Sequence, residues 1–293
     1  MYIDDIELEE APTLEEAADA LARHAPDVRV LAGGTDLLVD LKTGRVAVGH
    51  LVSIRRIEAL RGIEETSEGL RIGALTTITA LLRSPAIQAR YAPLLEAAGR
   101  MAAPQIRNVA TIGGNICGAV PCADLPPILM TLAASVELWS RAGQRHLPLE
   151  AFFTGPRQTV RRHDEVLTAV RVPEPPPGFG AAYARFGLRE GNAIAVAAVA
   201  AGLRLDGAGT AVEARVVLNA VAPLPKVVDA AARELVGRAP DEAAIARAAV
   251  AARQAAQPIS DLRGSAGFRR DLVEVMARRA LAAAARRARE SQA

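Results

Sequence analysis

Two residue types that carry much of protein chemistry are nearly missing from this 293-residue chain, which has only the cysteines Cys117 and Cys122 and the lysines Lys42 and Lys226. Two cysteines cannot make a disulfide framework, and their spacing matches no zinc or iron–sulfur ligand set. Both are expected to be free thiols packed as small hydrophobes. The shortage of lysine argues against Schiff-base catalysis; the positive charge is almost all arginine, whose planar fork suits fixed hydrogen-bonding roles. The four histidines, His24, His50, His146 and His163, lack a two-histidine metal spacing, and no serine stands in a G-x-S-x-G setting. No metal site and no catalytic acid, base or nucleophile is therefore expected in this chain. Aromatic residues are only 3% of the sequence, too few for the clustered pocket of an enzyme acting alone on an alcohol or sugar. The longest apolar stretch, residues 193–203, falls short of the ~20 residues that cross a bilayer and reads as a buried strand. No secretory leader is visible in Met1-Tyr2-Ile3-Asp4-Asp5, so the expected location is cytoplasmic.

Charge is balanced, with 35 basic against 33 acidic side chains and a formal net charge of +2. The one basic cluster, Arg278, Arg279, Arg286, Arg287 and Arg289, reads as the solvated face of a C-terminal helix, and no nucleic-acid partner is expected.

What the chain does have is a pair of glycine turns, Ala32-Gly33-Gly34-Thr35-Asp36-Leu37-Leu38 after the apolar Leu31, and Ala110-Thr111-Ile112-Gly113-Gly114-Asn115. Glycine reaches positive φ and lets main-chain N–H groups approach an anion, while Thr35, Thr111 and Asn115 add side-chain donors. One such turn is as readily an ordinary strand-to-helix connection. Two together look like a clamp on a pyrophosphate. Neither fits G-x-G-x-x-G, and no phosphate loop of the G-x-x-x-x-G-K-[ST] kind is present.

Around these turns the pattern predicts a small α/β unit. Thr13-Leu14-Glu15-Glu16 is a capping box opening a helix to about Arg23; a strand at 28–31, a short helix at 36–42 and a strand at 50–54 follow. A second unit begins near Ile57, with a strand at 70–74, a helix capped by Thr76 or Thr77, a helix over 93–103, a helix from 125 that Asp124 caps, and strands at 135–140 and 165–172. Pro173-Glu174-Pro175-Pro176-Pro177-Gly178 reads as a linker. Beyond it, antiparallel strands at 181–187, 193–205 and 211–221 precede helices at 227–236, 241–255 and 268–289. The expected class is α+β, with a domain over 1–175 in subdomains of about 1–55 and 56–175, and a C-terminal α+β domain over 179–293.

The AGGTDLL and TIGGN segments, Asp124 in Pro121-Cys122-Ala123-Asp124-Leu125-Pro126-Pro127, and Pro258-Ile259-Ser260-Asp261-Leu262-Arg263-Gly264-Ser265-Ala266 stand in one order along the chain. In this they resemble the FAD-binding medium subunits of molybdenum hydroxylases, relatives of xanthine dehydrogenase, aldehyde oxidase and bacterial carbon monoxide dehydrogenase. The resemblance implies a two-part FAD-binding domain of the vanillyl-alcohol-oxidase type and non-covalent FAD. It implies cofactor contacts from Leu31, Ala32, Gly33, Gly34, Thr35, Asp36 and Leu37, and from Ala110, Thr111, Ile112, Gly113, Gly114 and Asn115. It adds Asp124, the segment of Val166 and Leu167 that packs near the flavin ring, and Arg185, which stands where the family often carries a lysine. From its own position Asp36 reads rather as a helix cap, and Arg185 equally as a surface arginine on an edge strand. The resemblance further implies an electron-transfer role in a heterotrimer, with the molybdenum cofactor and iron–sulfur clusters on partner subunits and a small-molecule acceptor. A self-sufficient FAD oxidase is the alternative.

Overall fold

The structure is a computed structural model that describes residues 6–292; the acidic start at 1–5, read above for the lack of a leader, lies outside them. β1 (Glu7–Glu10) leads to α1 (Leu14–His24), whose cap Thr13 accepts from the Glu16 amide at 3.2 Å as the capping box requires. β2 (Val28–Leu31), α2 (Leu37–Lys42) and β3 (His50–Ser53) follow. The three strands make a parallel sheet in the order β1-β3-β2, and α1 packs Ala17, Ala20 and Leu21 into a core with Val28, Val52 and Ile54.

β4 (Ile63–Thr66) and β5 (Gly69–Gly73) form a hairpin, and α3 (Ile78–Arg83) begins at Thr77, whose hydroxyl accepts from the Ala80 amide at 3.1 Å. Next come α4 (Pro85–Arg90), α5 (Ala92–Arg100), α6 (Pro104–Arg107), α7 (Ile112–Cys117) and α8 (Leu125–Thr131). β6 (Ser135–Ser140), β7 (Gly143–Pro148), the small hairpin of β8 (Phe153–Gly155) and β9 (Gln158–Thr159), and β10 (Val166–Pro173) complete this part. A five-stranded sheet runs β4-β5-β10-β6-β7. Its buried Glu137, on β6, is held by Arg171 from the adjacent β10 and by Arg71 from β5 one strand beyond, which keeps that carboxyl below its usual range against the cost of burial.

After the proline-rich connection, β11 (Phe179–Phe186), β12 (Ala197–Leu205), β13 (Ala211–Asn219) and β14 (Lys226–Val227) form an antiparallel sheet in chain order. α9 (Asp229–Arg233), α10 (Glu242–Ala255) and α11 (Ala266–Glu290) follow. The α11 face that meets the sheet is mostly alanine, with Val273, Met276 and Leu281 as its larger buried side chains. Small residues permit a close approach. A β-carbon on Gly180 would stand 2.3 Å from the Ala284 carbonyl oxygen, so strand and helix meet backbone to backbone. The C-terminal arginines are not all a solvated face: Arg287 donates to the Ala181 carbonyl at 2.7 Å and pairs with Glu96.

By their contacts the residues fall into two compact units, one of Met1–Ser84, Ala103–Ala119 and Ser135–Val172, the other of Pro85–Ala102, Val120–Ala134 and Pro173–Ala293. In the second unit one predicted helix takes another form. The helix predicted over 227–236 is instead β14 and the five-residue α9, because Lys226 and Val227 pair with Leu218 and Val217 on the free edge of β13. Among the described residues no helix is long and apolar enough to cross a membrane.

Candidate functional site: two apposed glycine turns

In the first unit β2 ends at Leu31, and residues 32–36 carry the chain to α2. Of the four turn glycines only Gly34 has positive φ, at +78°. The main-chain N–H groups of Gly33, Gly34, Thr35 and Asp36 donate to no protein acceptor among the described residues. Four consecutive free donors at the end of a strand are a ready cradle for an anion. Asp36 occupies the cap position of α2 but makes no capping bond, contrary to its reading as a cap; its side chain is exposed.

The second turn works differently from the expectation. Gly113 and Gly114 have ordinary φ and form the first turn of α7, and their amides are already used: Gly113 donates to the Ala74 carbonyl at 2.9 Å and Gly114 to Thr111 Oγ1 at 3.0 Å. Ile112 donates to Thr76 at 3.0 Å and Asn115 to Thr111 at 2.9 Å. Of the amides at 110–115 only that of Thr111 donates to no protein acceptor among the described residues, so this turn offers chiefly side chains and surface. Its glycines are set by space. A β-carbon on Gly113 would lie 2.8 Å from the Ala74 carbonyl oxygen, and one on Gly114 2.9 Å from Thr111 Oγ1.

The two turns touch through glycine. A β-carbon on Gly33 would fall 2.1 Å from the Val109 carbonyl oxygen and 3.1 Å from Ala110 Cα, so the first turn rests on the backbone leading into the second. Behind them lies an ion cluster that the sequence reading missed. The buried carboxylate of Asp40, on α2, is flanked by the guanidinium groups of Arg45 and Arg157. A charged residue inside Leu37-Leu38-Val39-Asp40-Leu41 was the available signal. Val166 and Leu167 sit on β10 with buried side chains, Val166 in the core beneath the parallel sheet. The Cys117 thiol is free and burial pushes it up to about 11.

In the second unit Asp124 stands at the start of α8 without capping it. Its buried carboxylate instead accepts from the Tyr183 hydroxyl at 2.9 Å and lies 2.8 Å from Arg185 Nε. Burial pushes this carboxyl from 3.8 to about 6, against the pull of Arg185 and Tyr183, and drives Tyr183 well above its ordinary value. Arg185 is no surface residue: its side chain is 4% exposed and it also donates to the Ala193 carbonyl. The Pro258–Ala266 motif is a fold clasp. Asp261 accepts from the Arg263 amide at 2.8 Å and from the buried Arg269 at 2.6 Å, and Arg269 reaches the Val196 carbonyl at 3.2 Å. Ser265 then caps α11 through the Phe268 amide. Among the described residues no group of three or more histidine, cysteine, aspartate or glutamate side chains is placed to hold a metal ion.

Comparison with known proteins gives this geometry its context. Residues 4–175 match the family described as the FAD binding domain in molybdopterin dehydrogenase, and residues 181–284 match the CO dehydrogenase flavoprotein C-terminal domain. The carbon monoxide dehydrogenase medium chain of Afipia carboxidovorans is 36% identical over 277 residues, 94% of this chain and 96% of that one. The xanthine dehydrogenase FAD-binding subunit of Escherichia coli O157:H7 is 38% identical over 217 residues, 73% of this chain and 74% of that one. A chain of carbon monoxide dehydrogenase from Hydrogenophaga pseudoflava superposes with a TM-score of 0.95 at 36% identity, over 98% of this chain and 99% of that one. The α+β fold, an FAD-binding domain followed by a domain of antiparallel strands and helices, is that of the medium subunit, and the free-standing oxidase gains no support. The chain belongs to the family of FAD-binding medium subunits of molybdenum hydroxylases.

Proposed function

We propose that this chain binds one FAD non-covalently and serves as the electron-transfer subunit of a heterotrimer with an iron–sulfur subunit and a molybdenum subunit. The observation that carries this reading is the run of four unpartnered N–H donors at Gly33–Asp36, seated by Gly33 on the backbone of the second turn. Those donors fit a pyrophosphate in number and in sign. When bound, FAD takes electrons delivered by iron–sulfur clusters and hands them in pairs to an external small-molecule acceptor. The protein's own part is to hold the cofactor: the first turn by its amides, the second by the side chains of Thr111 and Asn115. Asp124, Val166, Leu167 and Arg185 are proposed cofactor contacts on the family resemblance. The domain division between 175 and 179 is likewise our reading, in keeping with the matched spans of 4–175 and 181–284. We place the complex in the cytoplasm, in keeping with two cysteines that form no disulfide.

Co-expression with the two partner subunits, followed by native mass measurement and an activity assay, tests this reading. An assembly of three kinds of chain holding FAD is expected. A lone chain that holds FAD and oxidises an alcohol or sugar by itself overturns it.

A further inference from the structure

Asp40 lies on α2, the helix that follows the first glycine turn, and its side chain is only 6% exposed. A carboxylate buried to that degree needs partners, and it has two. They are not equivalent. Arg45 lies in the loop just after α2, and its own amide donates to the Asp40 carbonyl at 2.9 Å, so that pair closes a local loop and spans nothing. Arg157 comes from the tight turn between β8 and β9, far along the chain.

The same Arg157 is also fastened to the second turn's helix. Its main-chain N–H donates to the Ala119 carbonyl at 2.8 Å, two residues past the end of α7. Side chain and backbone of one residue thus join α2 to the exit of α7, on the elements that carry the two glycine turns. Arg157 does this with φ at +61°, in Gly155-Pro156-Arg157-Gln158, at a position where such a turn favours glycine. An arginine kept in a left-handed conformation, with glycine the easier choice, points to a task for its side chain.

We propose that Arg157, acting through Asp40, is a positioning residue of the FAD site: it fixes the spacing of the two glycine turns, so that the donors of Gly33–Asp36 meet the pyrophosphate without rearrangement. This rests on the FAD reading above. The advantage is preorganisation, since a turn that must be ordered at binding loses affinity.

The test uses two variants of the full chain, with FAD affinity from flavin fluorescence and stability of the FAD-free protein from thermal unfolding. Arg157→Gly relieves the positive φ and leaves Asp40 paired with Arg45, so the FAD-free protein should unfold at or above the wild-type temperature. Its FAD dissociation constant should nevertheless rise by about tenfold or more, the scale of loss when a positioning contact is removed. Arg45→Ala removes an ion pair from the same carboxylate without cutting the brace, and its FAD affinity should stay near wild type. Wild-type affinity in Arg157→Gly, an equal loss in Arg45→Ala, or a loss in Arg157→Gly that only tracks reduced stability overturns the proposal. A wild-type chain that binds no FAD defeats the FAD reading itself, which is a separate outcome.

Discussion

Gly33 faces the carbonyl oxygen of Val109 so closely that a β-carbon on it would stand 2.1 Å away, less than any real contact. The glycine is there for the sake of the other turn, because φ at Gly33 is ordinary. Gly33→Ala should therefore push the two turns apart, raising the FAD dissociation constant about tenfold or more and destabilising the fold by about 1–3 kcal/mol through overpacking. Fluorescence titration and urea unfolding measure the two effects. Unchanged affinity would mean that the contact is incidental to the cofactor.

Thr111 is the cap of α7, and its hydroxyl takes the Gly114 amide. Thr111→Ala should lower stability by about 1 kcal/mol and Thr111→Ser by only a few tenths. Urea unfolding of the FAD-free chain reads this directly. Equal stability of the two variants would contradict the cap.

Asp124 gives a pH signature. Its carboxyl is raised from 3.8 to about 6 by burial, so between those values the folded protein holds a proton that the unfolded chain has lost. The contribution of this group to stability should fall as pH rises from about 4 to about 6 and then level off. Asp124→Asn should remove that slope. Unfolding by urea at a series of pH values checks it, and identical slopes in both proteins would refute the assignment.

Asp261 behaves in the opposite sense. The Arg263 amide and then Arg269 hold its carboxyl below its ordinary value, so its contribution is complete above about pH 4 and is lost as pH falls through the lowered folded value. Asp261→Asn should be less stable than wild type at neutral pH, with the gap closing in acid. A gap that persists unchanged in acid contradicts the clasp.

Much of this was legible in the sequence because local signals and tertiary structure agree. Thr13, Thr77 and Asp241 each cap the helix they precede, and the strands of the second unit carry long runs of buried alanine and valine. What was not legible is mostly edge and space. β1, β4 and β7 are charged strands, Glu-Leu-Glu-Glu, Ile-Glu-Glu-Thr and Gly-Gln-Arg-His-Leu-Pro, each at the end of its sheet, where one face and one edge are wet and no apolar alternation is required. The glycine turns were found by composition, but their division of labour was not. Whether a glycine offers a free amide, as at Gly34, or spends it and makes room, as at Gly113, is decided by tertiary neighbours, for Gly113 by Ala74, nearly forty positions away in the chain. Asp40 left only the signal of a charge in an apolar run, and Arg157 left none, since neither belongs to a motif and their pairing exists only once the hairpin folds back on α2.

The measurement that tests the account most directly is the flavin content of the natively purified chain, from its visible spectrum before and after acid precipitation. One FAD per chain, released entirely into the acid supernatant, is the predicted result. A colourless chain that takes up no added FAD, or a pellet that stays yellow, would contradict it.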